Sequence, residues 1–86
     1  MPVLSKFYGI VIRMVGARPF SARFHALYGE SELVVDIATL SVVGGEAPSR
    51  VRELVLEWAA QHQAELLSAW NRCLRALPPM NIAPLQ

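Results

Sequence analysis

The stretch from Ala22 to Ile37, Ala-Arg-Phe-His-Ala-Leu-Tyr-Gly-Glu-Ser-Glu-Leu-Val-Val-Asp-Ile, constrains the chain most, because two alternating runs meet at a Gly-Glu pair and a single register sorts them. With Gly29 and Glu30 as the central residues of a glycine-first type II′ turn, Tyr28 stands opposite Ser31. Counting back, Phe24 meets Val35 and Ala26 meets Leu33 on one face, while Arg23 meets Asp36, His25 meets Val34 and Leu27 meets Glu32 on the other. The first face is wholly apolar, as a buried side should be. A loop one residue longer would set apolar against polar positions throughout, so the pattern specifies the register as well as the strands.

Around this hairpin the alternation extends in both directions. Met1 to Ser5 reads as a short lead-in, and Phe7 to Val15 as strand one, with Tyr8, Ile10, Ile12 and Met14 on one side and Phe7, Gly9, Val11 and Arg13 on the other. Gly16 to Ser21 reads as a loop, since Pro19 cannot donate to a ladder. Thr39 to Val43 is expected to add a short edge strand, with Leu40 and Val42 inward, ended by Gly44-Gly45.

From Pro48 the period becomes helical. Val51, Leu54, Val55, Trp58, His62, Leu66, Trp70, Cys73, Leu74 and Leu77 recur at steps of three and four. One unbroken helix over 48–77 would be about 45 Å long, more than a small sheet can match, so a kink or break is expected near Gln61 to Gln63. Glu65, three residues after His62, echoes a capping box there. Pro78-Pro79 stops the helix, and the tail 80–86, with Ile82 and Leu85, is expected to dock in extended form. The expected fold class is α+β: one domain over 1–86, with a small antiparallel sheet of three to four strands within 6–43. One face is covered by one long kinked helix or two consecutive helices within 48–77.

Composition narrows the function classes. In 86 residues there is room for one core, yet 53% of them are hydrophobic and only 17% charged, so some apolar surface is available to another chain. No apolar run approaches the ~20 residues of a membrane span, and the N-terminus lacks a signal-peptide layout; a cytoplasmic protein is expected. The single Cys73 cannot form an internal disulfide. The net charge of +1 is unevenly spread: residues 1–29 carry Lys6, Arg13, Arg18 and Arg23 with no acid, and residues 30–86 carry four arginines against seven acids. Arg50 and Arg52 fall in the first helical turn, against the helix dipole.

The hairpin register brings Arg13, Arg23, His25, Glu32 and Asp36 together on the sheet face turned away from the helices, among Val11, Leu27 and Val34. His25 is a weak catalytic candidate there, as a general base with Arg23 or Arg13 stabilising an anion. The structural alternative is a cross-strand Arg23–Asp36 ion pair beside a half-exposed histidine, and nothing supplies a second acid, base or nucleophile at fixed spacing. His25 and His62 share no ligand-spaced motif, and Gly44-Gly45 lacks the Lys-Ser or Lys-Thr of a phosphate loop, so neither metal nor nucleotide cofactor is expected.

Phe-Tyr-Gly-Ile-Val-Ile-Arg-Met at Phe7 to Met14 and Phe-His-Ala-Leu-Tyr-Gly-Glu at Phe24 to Glu30, with Leu-Val-Leu-Glu-Trp at Leu54 to Trp58 and Trp70 beyond, resemble the small bacterial proteins of the domain of unknown function 4160 family. That family carries Pro-His-Phe-His-Ala, two histidines two apart on one strand face. Here Ala22-Arg23 stands in place of Pro-His, and only His25 carries over. The resemblance implies a protein partner in a toxin–antitoxin-like context. Taken together, the chain is expected to be a non-catalytic interaction module that uses the open sheet face, as a homo-oligomer or with a small protein partner. The alternatives are nucleic-acid binding through Lys6, Arg13, Arg18 and Arg23, or an RNA-cleaving toxin using His25.

Overall fold

Five strands pair antiparallel in strict sequence order, and two helices follow them. The computed structural model describes residues 3–14 and 21–86. Its strands are β1 (Val3–Phe7), β2 (Ile10–Arg13), β3 (Arg23–Tyr28), β4 (Ser31–Asp36) and β5 (Ser41–Glu46); the helices are α1 (Ser49–Gln61) and α2 (Gln63–Leu74). The α+β class holds, with five strands rather than three or four and a sheet reaching from residue 3 to 46 rather than 6 to 43. Val15, Arg18 and the loop positions 16–20 lie outside the described residues.

The β3–β4 register is the one the alternation specifies at all six positions, from Arg23 opposite Asp36 to Tyr28 opposite Ser31. Its apolar face is the buried one: Phe24, Ala26, Leu33 and Val35 are each at most 2% exposed.

Strand one is corrected by the structure. The segment from Phe7 to Met14 is not a single strand: Phe7 ends β1 and pairs with Ile10, the first residue of β2, across a two-residue turn at Tyr8-Gly9. Both turn residues have positive φ, 48° and 79°, the signature of a type I′ turn whose twist suits the flanking strands. Met1–Ser5 is correspondingly not a lead-in from Val3 onward, because β1 starts there. The turn also moves side chains between faces. Phe7, expected opposite Ile10, lies buried beside it, and Tyr8, expected with the core set, is exposed in the turn. Ile10, Ile12 and Met14 are fully buried as expected.

β5 departs from expectation in the same way. Gly44-Gly45 does not end it but lies inside it, because a bulge places Val34 opposite Gly44 and Val35 opposite Val42. Gly45 sits at φ 80°, and a Cβ there would collide with the carbonyl oxygen of Glu32, so this strand can run past the bulge only with glycine at that position.

The helices break at His62, inside the expected window of 61–63, where φ is −124° and ψ 24°. The break turns Gln63 back onto the sheet, and its amide Nε2 donates to the carbonyls of Ile37 at 2.7 Å and Ala38 at 3.2 Å. Glu65 forms no backbone cap; its carboxylate accepts from His62 Nδ1 at 2.8 Å instead. Helix α2 ends at Leu74, earlier than the expected 77, in a Schellman arrangement: Leu77 N–H donates to Arg72 O and Ala76 N–H to Cys73 O, with Ala76 at φ 58°. Leu77 is therefore exposed rather than part of the buried stripe.

Trp58 organises the core. Fully buried, it meets Phe24 edge-on at 5.7 Å between centroids and Phe7 at 5.4 Å, joining α1 to both hairpins. Its indole N–H donates to Ala83 O at 2.8 Å, and Ile82 N–H donates to the carbonyl of Leu4, the extra residue of a bulge in β1. Ile82 and Leu85 are buried, so the tail docks in extended form and seals one end of the core. Both helices and the tail thus lie on the Phe24 side, and the opposite sheet face carries the charged residues together with Val3, Val11, Leu27 and Val34.

Candidate protein interface

Antiparallel pairing fixes which side chains share the open face. One row across the sheet runs Val3, Arg13, His25, Val34 and Gly44; a neighbouring row runs Lys6, Val11, Leu27, Glu32 and Glu46; a third holds Arg23, Asp36 and Ser41. The five sequence-chosen residues, Arg13, Arg23, His25, Glu32 and Asp36, are therefore brought onto one surface. Lys6 joins them from β1 and Glu46 from β5.

Those two additions reveal an order. Lys6, Arg13 and Arg23 come from β1, β2 and β3, whereas Glu32, Asp36 and Glu46 come from β4 and β5. The face is basic on one side and acidic on the other. Val11, Leu27 and Val34 stand half-buried among them. The sequence reading did not place Glu46 here because it closed β5 at Gly44. It did not pair Lys6 with Val11 because it missed the turn at Tyr8-Gly9, whose X-Gly form between apolar runs was the available signal.

His25 is fixed by a diagonal contact, its Nδ1 lying 3.1 Å from Oε2 of Glu32. An ionised carboxylate only accepts, so as a hydrogen bond to it this contact uses Nδ1 as the donor. This orients a potential base, but His25's own row offers Val3, Arg13, Val34 and Gly44, with no nucleophile or second acid. Asp36 stands opposite Arg23 as expected, and its carboxylate also closes the following turn: it accepts from Ala38 N–H at 2.9 Å, Thr39 N–H at 3.3 Å and the Ser21 hydroxyl at 3.4 Å. Ser41, opposite Asp36, is hydrogen-bonded to the Thr39 hydroxyl at 2.6 Å.

Elsewhere, His62 packs its ring 5.5 Å from Trp58 and pairs with Glu65, a structural role at the helix break. Arg50, in the first turn of α1, forms an exposed pair at 3.6 Å with Glu53 just beyond that turn, which itself carries no acidic residue. Among the described residues, no three histidine, cysteine or carboxylate side chains gather closely enough to hold a metal ion, and no helix is long and apolar enough to cross a membrane.

A family model described as a domain of unknown function (DUF4160) matches residues 9–71, about three quarters of the chain. The match opens in the β1–β2 turn and closes within α2, so it contains β2 to β5 and the greater part of the open face. No curated protein and no solved structure matches the sequence.

Proposed function

The chain belongs to the DUF4160 family, and from that membership and the face just described we propose that it is a non-catalytic interaction module whose working surface is the open side of the sheet. The observation that carries this reading is the arrangement of Val11, Leu27 and Val34 between a basic and an acidic flank, on the one sheet face that neither helix nor tail covers. Apolar side chains ringed by charges of both signs suit a protein surface, which can bury the former and pair the latter. A nucleic acid fits less well. Lys6, Arg13 and Arg23 would attract its phosphates, but Glu32, Asp36 and Glu46 on the adjoining strands would repel them.

The module would act as one half of a small protein assembly, of the kind the toxin–antitoxin-like resemblance implies. Two preparations test this, the wild type and Val34→Glu, which buries a charge at the centre of any complex. Proteins co-purifying from source cells are identified, and the purified pair is then reconstituted and titrated; self-association is measured alongside. The reading expects at least one of these associations, weakened tenfold or more, about 1.4 kcal/mol, in the variant. Associations that Val34→Glu leaves unchanged, or none at all, overturn it.

A further inference from the structure

We infer that the occupant of the open face is a second copy of this chain, docked sheet to sheet about a two-fold axis parallel to the strands. The inference rests on the reading of that face as a protein interface and names the partner. Its basis is the left-to-right asymmetry of charge: Lys6, Arg13 and Arg23 on β1 to β3, and Glu32, Asp36 and Glu46 on β4 and β5. A partner of one sign satisfies half of this surface and is repelled by the other half. A copy of the same surface, turned over, satisfies both.

The axis follows from the same asymmetry. A half-turn about a line across the strands lays β1 over β1 and sets like charge on like. A half-turn about a line along the strands exchanges the two sides and sets the basic flank of each copy on the acidic flank of the other, an isologous contact. Placed between β3 and β4, that axis lays β3 over β4 of the second copy. Arg23 then faces Asp36 of the second copy, and His25 faces its Val34. Arg13 lies over Gly44 of the second copy, where no side chain obstructs the guanidinium; in the next row Leu27 lies over Glu32 and Val11 over Glu46 of the second copy, and β1 projects one strand past β5, so that Lys6 and Arg13 approach that Glu46 from two sides. Aligned sheets pack about 10 Å apart in this manner. At about 4.8 Å per strand and 3.3 Å per residue, the four overlapping strands β2 to β5, of four to six residues each, offer roughly 350 Å² of flat face, less than the ~800 Å² per partner of a standard stable complex. The dimer is accordingly expected to be weak, between the micromolar and millimolar ranges, and to loosen as salt rises.

Charge reversal tests the arrangement. Among the described residues, Lys6→Glu with Arg13→Glu leaves Arg23 as the one basic residue of its flank, and Glu32→Lys with Glu46→Lys leaves Asp36 as the one acidic residue of the other. Sedimentation velocity at low salt, up to about 1 mM chain, is expected to show self-association of the wild type weakened at least tenfold in each variant, and recovered in their equimolar mixture. Circular dichroism establishes that each is folded; should a double variant fail, the exposed single reversals Lys6→Glu and Glu46→Lys carry the same comparison. A monomeric wild type, a dimer insensitive to both reversals, or a mixture of folded variants that stays monomeric overturns the inference. A monomeric wild type that binds an identified protein in a Val34→Glu-sensitive manner overturns the second copy and leaves the interface reading standing. Loss of both associations overturns the two together.

Discussion

Glu32 and Glu46 stand directly opposite each other on β4 and β5, two carboxylates projecting from the same face of the sheet. Like charges in register destabilise an antiparallel pair, and His25 engages only the first of them. Within one copy the placement is unfavourable, and a basic flank supplied from outside relieves it. Glu46→Lys is therefore expected to act with opposite signs on two measurements. Chemical denaturation should show the fold stabilised by a few tenths of a kcal/mol, as repulsion becomes attraction across the pair. The same substitution should weaken self-association.

Gly45 is the position at which β5 tolerates no side chain. Gly45→Ala combines a positive φ with a collision against the Glu32 carbonyl and is expected to cost roughly 2 to 3 kcal/mol, read as a lower urea midpoint at unchanged slope. Gly44→Ala, whose Cβ would meet Val34 at an ordinary 3.7 Å, is expected to cost clearly less.

Ala76 occupies the left-handed position after α2 that glycine fills without strain. Ala76→Gly is expected to stabilise the fold by roughly 0.5 to 1 kcal/mol, as relief of backbone strain outweighs the added freedom of the unfolded chain. Thermal denaturation checks it. No change would mean that the Leu77–Arg72 and Ala76–Cys73 bonds set the conformation at no cost.

Trp58 holds the tail as well as the core. Trp58→Phe removes the indole N–H that Ala83 accepts and leaves a small void, at a cost of about 1 to 3 kcal/mol. Local loosening distinguishes this from uniform destabilisation. Hydrogen exchange should quicken first at the Ile82 amide, bonded to Leu4, while amides of the β3–β4 ladder keep their relative protection.

How far the sequence could be read depends on what each segment needed from its neighbours. Phe24 to Val35 was legible because its alternation, its turn residues and its burial all select one register. The break at His62 was legible from length alone. The N-terminal hairpin was not, since Tyr8 rarely leads a type I′ turn and its apolar ring continued the alternation across the bend. β5 was shortened because Gly44-Gly45 carries the composition of a terminator, and only the Glu32 backbone, a tertiary neighbour, makes it a bulge. The turn at Tyr8-Gly9 puts Lys6, already a candidate by charge, on the open face, and the bulge adds Glu46, and with them comes the division of charge. Five site residues could be assigned to one face from pairing alone, but their order across it required β1 and β5.

Because Trp58 finds its acceptor at Ala83, and because Ile82 and Leu85 are buried with it, the core is completed by residues that are synthesised after both hairpins and both helices. The two hairpins can zip as they emerge, and α1 can lay Trp58 against Phe7 and Phe24 behind them, but the indole N–H gains its native acceptor only when Ala83 has left the ribosome.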